Sequence, residues 1–549
     1  MKKSKSRSLP FLLLSSILLS FSSCYKGKSV DIVIHNARIH TLNDNDDIEE
    51  AIAIRDGKIV EVGPNRQILN KYTSEEEIDA GGKDIYPGFT DAHGHIMSLV
   101  KKKLGLDLTG CHSYDELLFR LEKYQSKNKH SFIIGRGWDQ SLWGTNEMPT
   151  NEKLNQIYPN IPICLTRVDG HAMLVNDALL KKLKYTSATK IEGGQIISKE
   201  GKCTGLLIDN AMNAVSLLQP SYTKKQIKEA ILKIQNELFQ YGITGVHEAG
   251  IEYEEIAYFK ELIKANQLDL NIYAMLLPSE ENISFAKKNG IYTYKNLSIR
   301  SFKVFGDGAL GSRGAFLKQA YSDQHNHFGT LVTPYSEMNR IAIICEKLGY
   351  QMNTHAIGDS TNRLLLSIYK NINEVNKDHR WRIEHAQIID PKDIKLFSEY
   401  GVFPSVQPTH AVSDQRWAET RIGTRRMAGA YAYNTLLQQT GMIAIGTDFP
   451  IEDINPFLTI HAAVQRKDRD NSPSVGFYPS EALTLLECIK GMTTWAAFAS
   501  FQDRKTGTLE KGKQATFAIF INQVNSTPNF ISNYSWMTYI KGKKVYTAE

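Results

Sequence analysis

The sequence predicts an α/β protein: a (β/α)8, TIM-like barrel with a long insertion after strand 1 and a small β-sandwich built from both chain ends. Three observations predict it. From residue 242 onward short apolar runs alternate with amphipathic stretches, the rhythm of a parallel barrel. Residues of metal-ligating type stand at the ends of several of those runs. Short β-branched runs with turn signals occupy both ends of the chain.

The first residues read as a targeting segment, 1–23. A basic start (Lys2, Lys3, Lys5, Arg7) precedes an apolar run from Leu9 to Phe21, too short for a comfortable membrane span. The Phe-Ser-Ser-Cys24 junction resembles a bacterial lipoprotein processing site. That resemblance implies an exported protein anchored to the membrane through lipidated Cys24 and facing the periplasm; an ordinary signal peptide or an uncleaved anchor is the alternative. Without those four basic residues the formal charge falls from +6 to +2, which leaves little field to attract nucleic acid. Hydrophobic residues at 42% and charged residues at 23% are ordinary for a globular protein, and no later stretch is long and apolar enough to cross a bilayer. Cys111, Cys164, Cys203, Cys345 and Cys488 lack the spacing of a metal knuckle or redox pair and read as buried free thiols.

Residues 24–86 and 501–549 supply the two parts of the sandwich. Asp56-Gly57 between apolar runs signals a hairpin turn, and the runs at 512–521 and 537–546 have the same β texture. The barrel spans 87–500. Its first strand ends at His93 and the others lie at 242–248, 271–277, 299–305, 350–355, 381–385, 402–407 and 442–448, with amphipathic stretches such as 336–348 and 391–400 between them. Residues of about 105–240 interrupt this pattern as an insertion rich in Gly, Pro and aromatics, with few long periodic segments before 224–241. Insertions at a barrel mouth shape pockets, which makes Trp138, Trp143 and His171 candidates for the substrate pocket.

Two residues apart on a strand, His93 and His95 point to one face and can share an ion. With 15 His in the chain, a lone His-x-His pair is weak evidence, and the second pair, His325 and His327, reads as incidental in a polar loop. Convergence decides in favour of the first. Lys303 in the fourth strand, His355 on the fifth, His385 on the sixth and Asp448 on the eighth all reach the same face of a parallel barrel. His247 suits either a pocket wall or a hydrogen-bonded core position, and His410 and His461 read as structural.

These residues resemble the amidohydrolase superfamily, and more narrowly the branch of N-substituted formamide deformylase. The matching motifs are Pro87-Gly-Phe-Thr-Asp-Ala-His-Gly-His95, Lys303-Val-Phe-Gly-Asp-Gly-Ala-Leu-Gly-Ser-Arg313, Asn353-Thr-His-Ala-Ile-Gly-Asp359, Arg382-Ile-Glu-His385, Gly446-Thr-Asp-Phe-Pro450 and Gly507-Thr-Leu-Glu-Lys-Gly-Lys513. Gln514-Ala-Thr516 departs from the family pattern, within the sandwich. The resemblance implies a metal pair, commonly zinc with manganese, iron or nickel as alternatives. His93 and His95 would hold one ion and His355 and His385 the other, bridged by Lys303 as a carbamate. Asp448 would ligate the first ion and move the proton of a metal-bound hydroxide that attacks a small amide, formamide or cyclic amide. Asp307, Arg313 and Asp359 would orient ligands or substrate. An esterase or lactonase, and a non-catalytic binding lipoprotein, are the alternatives. The expected partner is a small molecule, with a homodimer left open.

Overall fold

Eight parallel strands form the barrel in the computed structural model, which describes residues 27–144, 147–372, 378–524 and 531–549. They are β1 (Phe89–Gly94), β2 (Ile243–Ile251), β3 (Asn271–Leu276), β4 (Leu297–Phe305), β5 (Gln351–Ala356), β6 (Arg382–His385), β7 (Phe403–Val406) and β8 (Ala444–Ile445). Each pairs in parallel with the next, so all carboxyl ends open on one face. Strands β5 and β7 are buried at every position, as strands covered on both sides are.

Because β8 is only two residues long, the barrel closes on β1 through single hydrogen bonds. The Asp448 N–H donates to the His93 carbonyl at 2.7 Å, and Thr447 donates to Asp91 through its N–H (3.0 Å) and its hydroxyl (2.6 Å). Gly446 is required at this junction, since a Cβ there would lie 2.4 Å from the backbone nitrogen of His93. The seam therefore fixes His93 and Asp448 relative to each other.

The sandwich has one sheet built only from the first part of the chain (order Lys58–Gly63, Ala51–Arg55, Lys28–His35, Tyr72–Asp79). Its second sheet mixes the two ends, with Phe517–Phe520 antiparallel to Asp84–Pro87. Ile34, Ile52 and Ile54 pack with Phe517, Ile519 and Tyr539 in a shared core. Residues 84–87 lead straight into β1, so joining the chain ends anchors the strand that carries His93. At the predicted hairpin turn Asp56 and Gly57 have φ of 52° and 70°.

Two expectations need correction. The insertion is not poor in regular structure: it forms a six-stranded sheet (order Gly194–Lys199, Lys202–Asp209, Ala172–Val175, Ile163–Arg167, Ile133–Trp138, Leu106–Asp107) with its own apolar core. It also holds helix Tyr114–Asn128, capped by Ser113, whose buried Leu117, Leu118 and Leu121 join that core, while its short strands, broken by Gly, carry no long period to read. Its far boundary is also nearer than 240, because helix Lys224–Gln240, started by a Thr223 capping box, packs on helix Ile96–Leu104 and on the barrel core. Helix Tyr335–Leu348 falls where expected, whereas 391–400 holds only the five-residue helix Lys395–Glu399. The turn before it is held by Lys318, whose Nζ donates to Asp390 (2.9 Å) and Asp393 (2.7 Å).

All five described cysteines are free. Among the described residues no helix is long and apolar enough to cross a membrane. The targeting segment and Cys24 lie outside the described residues.

Candidate metal centre

The carboxyl ends of the strands bring the predicted ligands together. One donor atom each from His93, His385 and Asp448 lie within 4.8 Å of one another. The His95 Nε2 is 3.0 Å from Asp448 Oδ1, the Lys303 Nζ is 3.1 Å from His93 Nε2, and the His355 and His385 rings are 4.6 Å apart. Simple alternation along β6 would turn His385 away from the face used by Glu384. A left-handed backbone at His385 (φ 69°) brings its ring within 4.9 Å of the His93 ring, and Asp448 (φ 61°) has the same conformation. Few residues other than glycine adopt that region, His and Asp more readily than most, so its use at two cup residues marks positions held by their surroundings.

Electrostatics favour cation binding. Burial holds the imidazoles of His93, His95, His355 and His385 below their ordinary range, His93 at about 4, so each is neutral at pH 7 and keeps a lone pair. The buried His355 Nε2 and His385 Nδ1 have no hydrogen-bond partner among the described residues, a costly state that a bound cation relieves. Burial also works against the Asp448 carboxylate, but the hydrogen bond from His410 and the nearby imidazoles outweigh it and hold the group well below the usual range. Neutral imidazoles around a carboxylate are the donor set that a zinc-like ion takes.

Behind the ligands lies a second set of groups that sequence reasoning missed. His93 Nδ1 is 2.5 Å from Glu384 Oε2; because a carboxylate only accepts, Nδ1 carries the proton and Nε2 faces the cup. Arg382 anchors Glu384 (2.9 Å) and also donates to the Ala92 carbonyl (2.7 Å) and to Ser405 (2.9 Å). Glu248 on β2 accepts from the backbone N–H groups of Ile96 (2.5 Å) and Met97 (3.1 Å), the first turn of the helix that follows His95. Glu248→Ala would leave both donors buried and unpaired, at a cost of about 2–4 kcal/mol. We expect a lower melting temperature and reduced metal content at His95, with partial recovery of both in Glu248→Gln.

His410 is the main correction among the predicted structural residues. It sits on helix Pro408–Asp414 and donates to Asp448 Oδ2 (3.1 Å) and Glu452 Oε1 (3.2 Å). Burial opposes its charge, but the two carboxylates push the imidazole up to about 10. A single His on a helix, with no ligand spacing, gave no signal of this role. His247, left between two roles, is a core residue that accepts from Arg382 at 3.0 Å, and His461 is buried within helix Pro456–Gln465.

The predicted substrate-binding residues divide. His171 reaches the cup, with its ring 5.1 Å from that of His355 and its Nδ1 2.7 Å from Asp209. Trp138 does not: it is wholly buried in the insertion core and donates to the Leu165 carbonyl at 2.7 Å, with Trp143 packed 6.0 Å away. Asp307 is buried beside His355, 3.8 Å from its Nε2, and accepts from the N–H groups of Phe316, Ile357 and Gly358 and from the Thr361 hydroxyl. It ties the loop after β4 to the turn after β5 and to the helix that follows it. Arg313 is turned onto Asp323 by two hydrogen bonds (3.2 and 2.9 Å), and Asp359 accepts from the Lys318 N–H (2.9 Å) at the start of helix Asp359–Ile372. Both side chains are engaged by protein partners. His327 donates to the Arg313 carbonyl, a loop contact.

Similarity to other proteins agrees with this geometry. The sequence matches the amidohydrolase family over residues 76–546. It is 29% identical to the putative amidohydrolase YtcJ of Bacillus subtilis over 499 residues, covering 88% of this chain and 93% of that one. It is 22% identical to N-substituted formamide deformylase of Arthrobacter pascens over 514 residues, covering 89% and 93%. Among solved structures, an uncharacterized metal-dependent hydrolase of Pyrococcus horikoshii superposes with a TM-score of 0.72 at 27% identity, covering 89% and 96%. A barrel with His93, His95, His355, His385 and Asp448 gathered at its strand ends, matched over this length, makes the chain an enzyme of the amidohydrolase family.

Proposed function

We propose that the protein hydrolyses a carbon-nitrogen bond, other than a peptide bond, in a small amide, formamide or cyclic amide. The observation that carries this reading is the geometry of Asp448 within the donor cluster, its Oδ1 3.0 Å from His95 Nε2 and its Oδ2 3.1 Å from His410 Nε2. An amine leaves only when protonated, whereas an alkoxide depends on this less, so a carboxylate held where it can carry a proton to the leaving group suits an amide better than an ester. Divalent cations held by His93, His95, His355, His385 and Asp448, zinc above all, would polarise the carbonyl and bring the pKa of water at the site near neutrality.

The chain's own groups supply the rest. Asp448 accepts the proton of the attacking water and passes it to the leaving nitrogen, while His410 holds its Oδ2 oxygen and Glu452 holds His410. Glu384 keeps the His93 proton on Nδ1. Support for a binuclear centre bridged by carboxylated Lys303 comes from that residue's position. Its amine is fully buried among the ligands, and burial lowers its pKa to about 8, which supplies neutral amine to add to carbon dioxide and release a proton. The resulting anion offers two oxygens where an ammonium offers none.

The test is chelation followed by metal return, with turnover read on matched amides and esters. Chelated protein is expected to be inactive on the amides and to recover with zinc or manganese. Turnover confined to the esters would overturn the carbon-nitrogen assignment. We also propose export and attachment through Cys24, supported by the sequence of residues 1–24; labelling with a lipid analogue is expected in the intact protein and absent in Cys24→Ala.

A further inference from the structure

The insertion brings two arginines toward the barrel mouth, and their surroundings differ. Arg167 is saturated: its guanidinium donates to Gln140 (2.8 Å), Asp169 (2.6 Å) and Asp139 (2.6 Å). Arg136, on the neighbouring strand Ile133–Trp138, makes one long hydrogen bond, from Nη2 to the Val168 carbonyl at 3.4 Å. Its Nε is buried without a partner, and it forms no ion pair among the described residues. The carboxylate that could have paired with it, Asp169, is already held by Arg167 and by the His171 N–H (3.0 Å).

Arg136 also faces the right place. Its guanidinium lies against Gly170, where a Cβ would come within 3.1 Å of Nη2, and the next residue, His171, stands 5.1 Å from the His355 ring. His95 and Asp448 lie within its electrostatic reach, as do Asp169 and Lys102. The residue keeps partial exposure, so a ligand in the cup can meet it. A guanidinium with most of its five donors unused is matched to a planar anion that takes two parallel hydrogen bonds.

We propose that Arg136 anchors a carboxylate on the substrate, so that the preferred substrate is an anionic amide whose reacting carbonyl reaches the metal centre while its carboxylate pairs with Arg136. This rests on the reading of the cup as an amide-hydrolysing site. The Gly135-Arg-Gly-Trp motif then has two functions, with Trp138 holding the insertion core and Arg136 facing the cup.

The test uses the metal-loaded full chain and N-formyl amino acids paired with their neutral carboxamides. Binding is measured by calorimetry and turnover by release of formate. Wild-type protein is expected to bind each acid about 10- to 100-fold more tightly than its carboxamide, the range of one charge-assisted contact. Arg136→Gln is expected to reduce that preference to about twofold or less on the same scale, and Arg136→Lys to restore part of it. Metal content and melting temperature of both variants should match wild type, which separates loss of the anchor from loss of fold. Equal affinity for acid and carboxamide in wild type, or a preference that survives Arg136→Gln, would overturn the proposal. Metal-dependent turnover without acid preference leaves the amidohydrolase reading standing and removes this one; acid preference without any amide turnover does the reverse.

Discussion

Lys303→Ala is expected to lose most of its bound metal and to drop in kcat by about three orders of magnitude or more, because one substitution would remove both the proposed bridge and its charge. The lysine is wholly buried, with Nζ 3.1 Å from His93 Nε2. Two further results separate a carbamate from an ordinary lysine. Protein equilibrated with 13C-labelled carbon dioxide should show a carbamate signal that Lys303→Ala lacks. Acetate should return part of the metal and part of the activity to Lys303→Ala, since a small carboxylate can supply two oxygens to the vacated space. Full metal content in Lys303→Ala would contradict the bridge and leave the lysine a different role.

Asp448→Asn is expected to lower kcat/KM by about 10³-fold or more, above the middle of the range for one general acid-base group, because the residue is proposed both to ligate and to carry the proton. Asparagine keeps the shape and can still accept from His410, so the fold and the His410 position should survive. His410→Gln should cost less, about tenfold to a hundredfold in kcat with little change in KM, as suits a group that acts through Asp448. The comparison is informative because the pair is coupled. In the double variant the His410 substitution should add almost nothing, since its effect passes through a carboxylate already gone. Independent, multiplying effects would show that His410 meets the substrate directly.

Much of the barrel was legible because its signals are local or repeat. Parallel strands buried on both sides read as apolar runs, and several of those runs ended on a residue able to bind metal, which is why His93, His355 and His385 could be placed from widely separated segments. The supporting groups were legible only as letters of a motif. Nothing in Arg382-Ile-Glu-His385 tells that Glu384 holds a histidine 291 positions away, because that depends on which strands become neighbours. His410 was hidden for a related reason: it projects from a helix after β7, and its partners Asp448 and Glu452 follow β8. Trp138 misled in the other direction. An aromatic residue beside glycines looks the same in sequence whether it lines a pocket or fills a core, and here the insertion proved to have a core of its own. Arg313 and Asp359 lie in the family motifs yet turn to Asp323 and to the Lys318 N–H, so proximity in sequence to a ligand did not give direction in space.

Elemental analysis of the purified protein, set beside its turnover of amides before and after chelation, tests the central claim most directly. Two divalent ions per chain, both removed together with the activity and both restored with it, is the predicted result. A chain that carries no metal and keeps its activity through chelation would contradict the metal-centre account from its foundation.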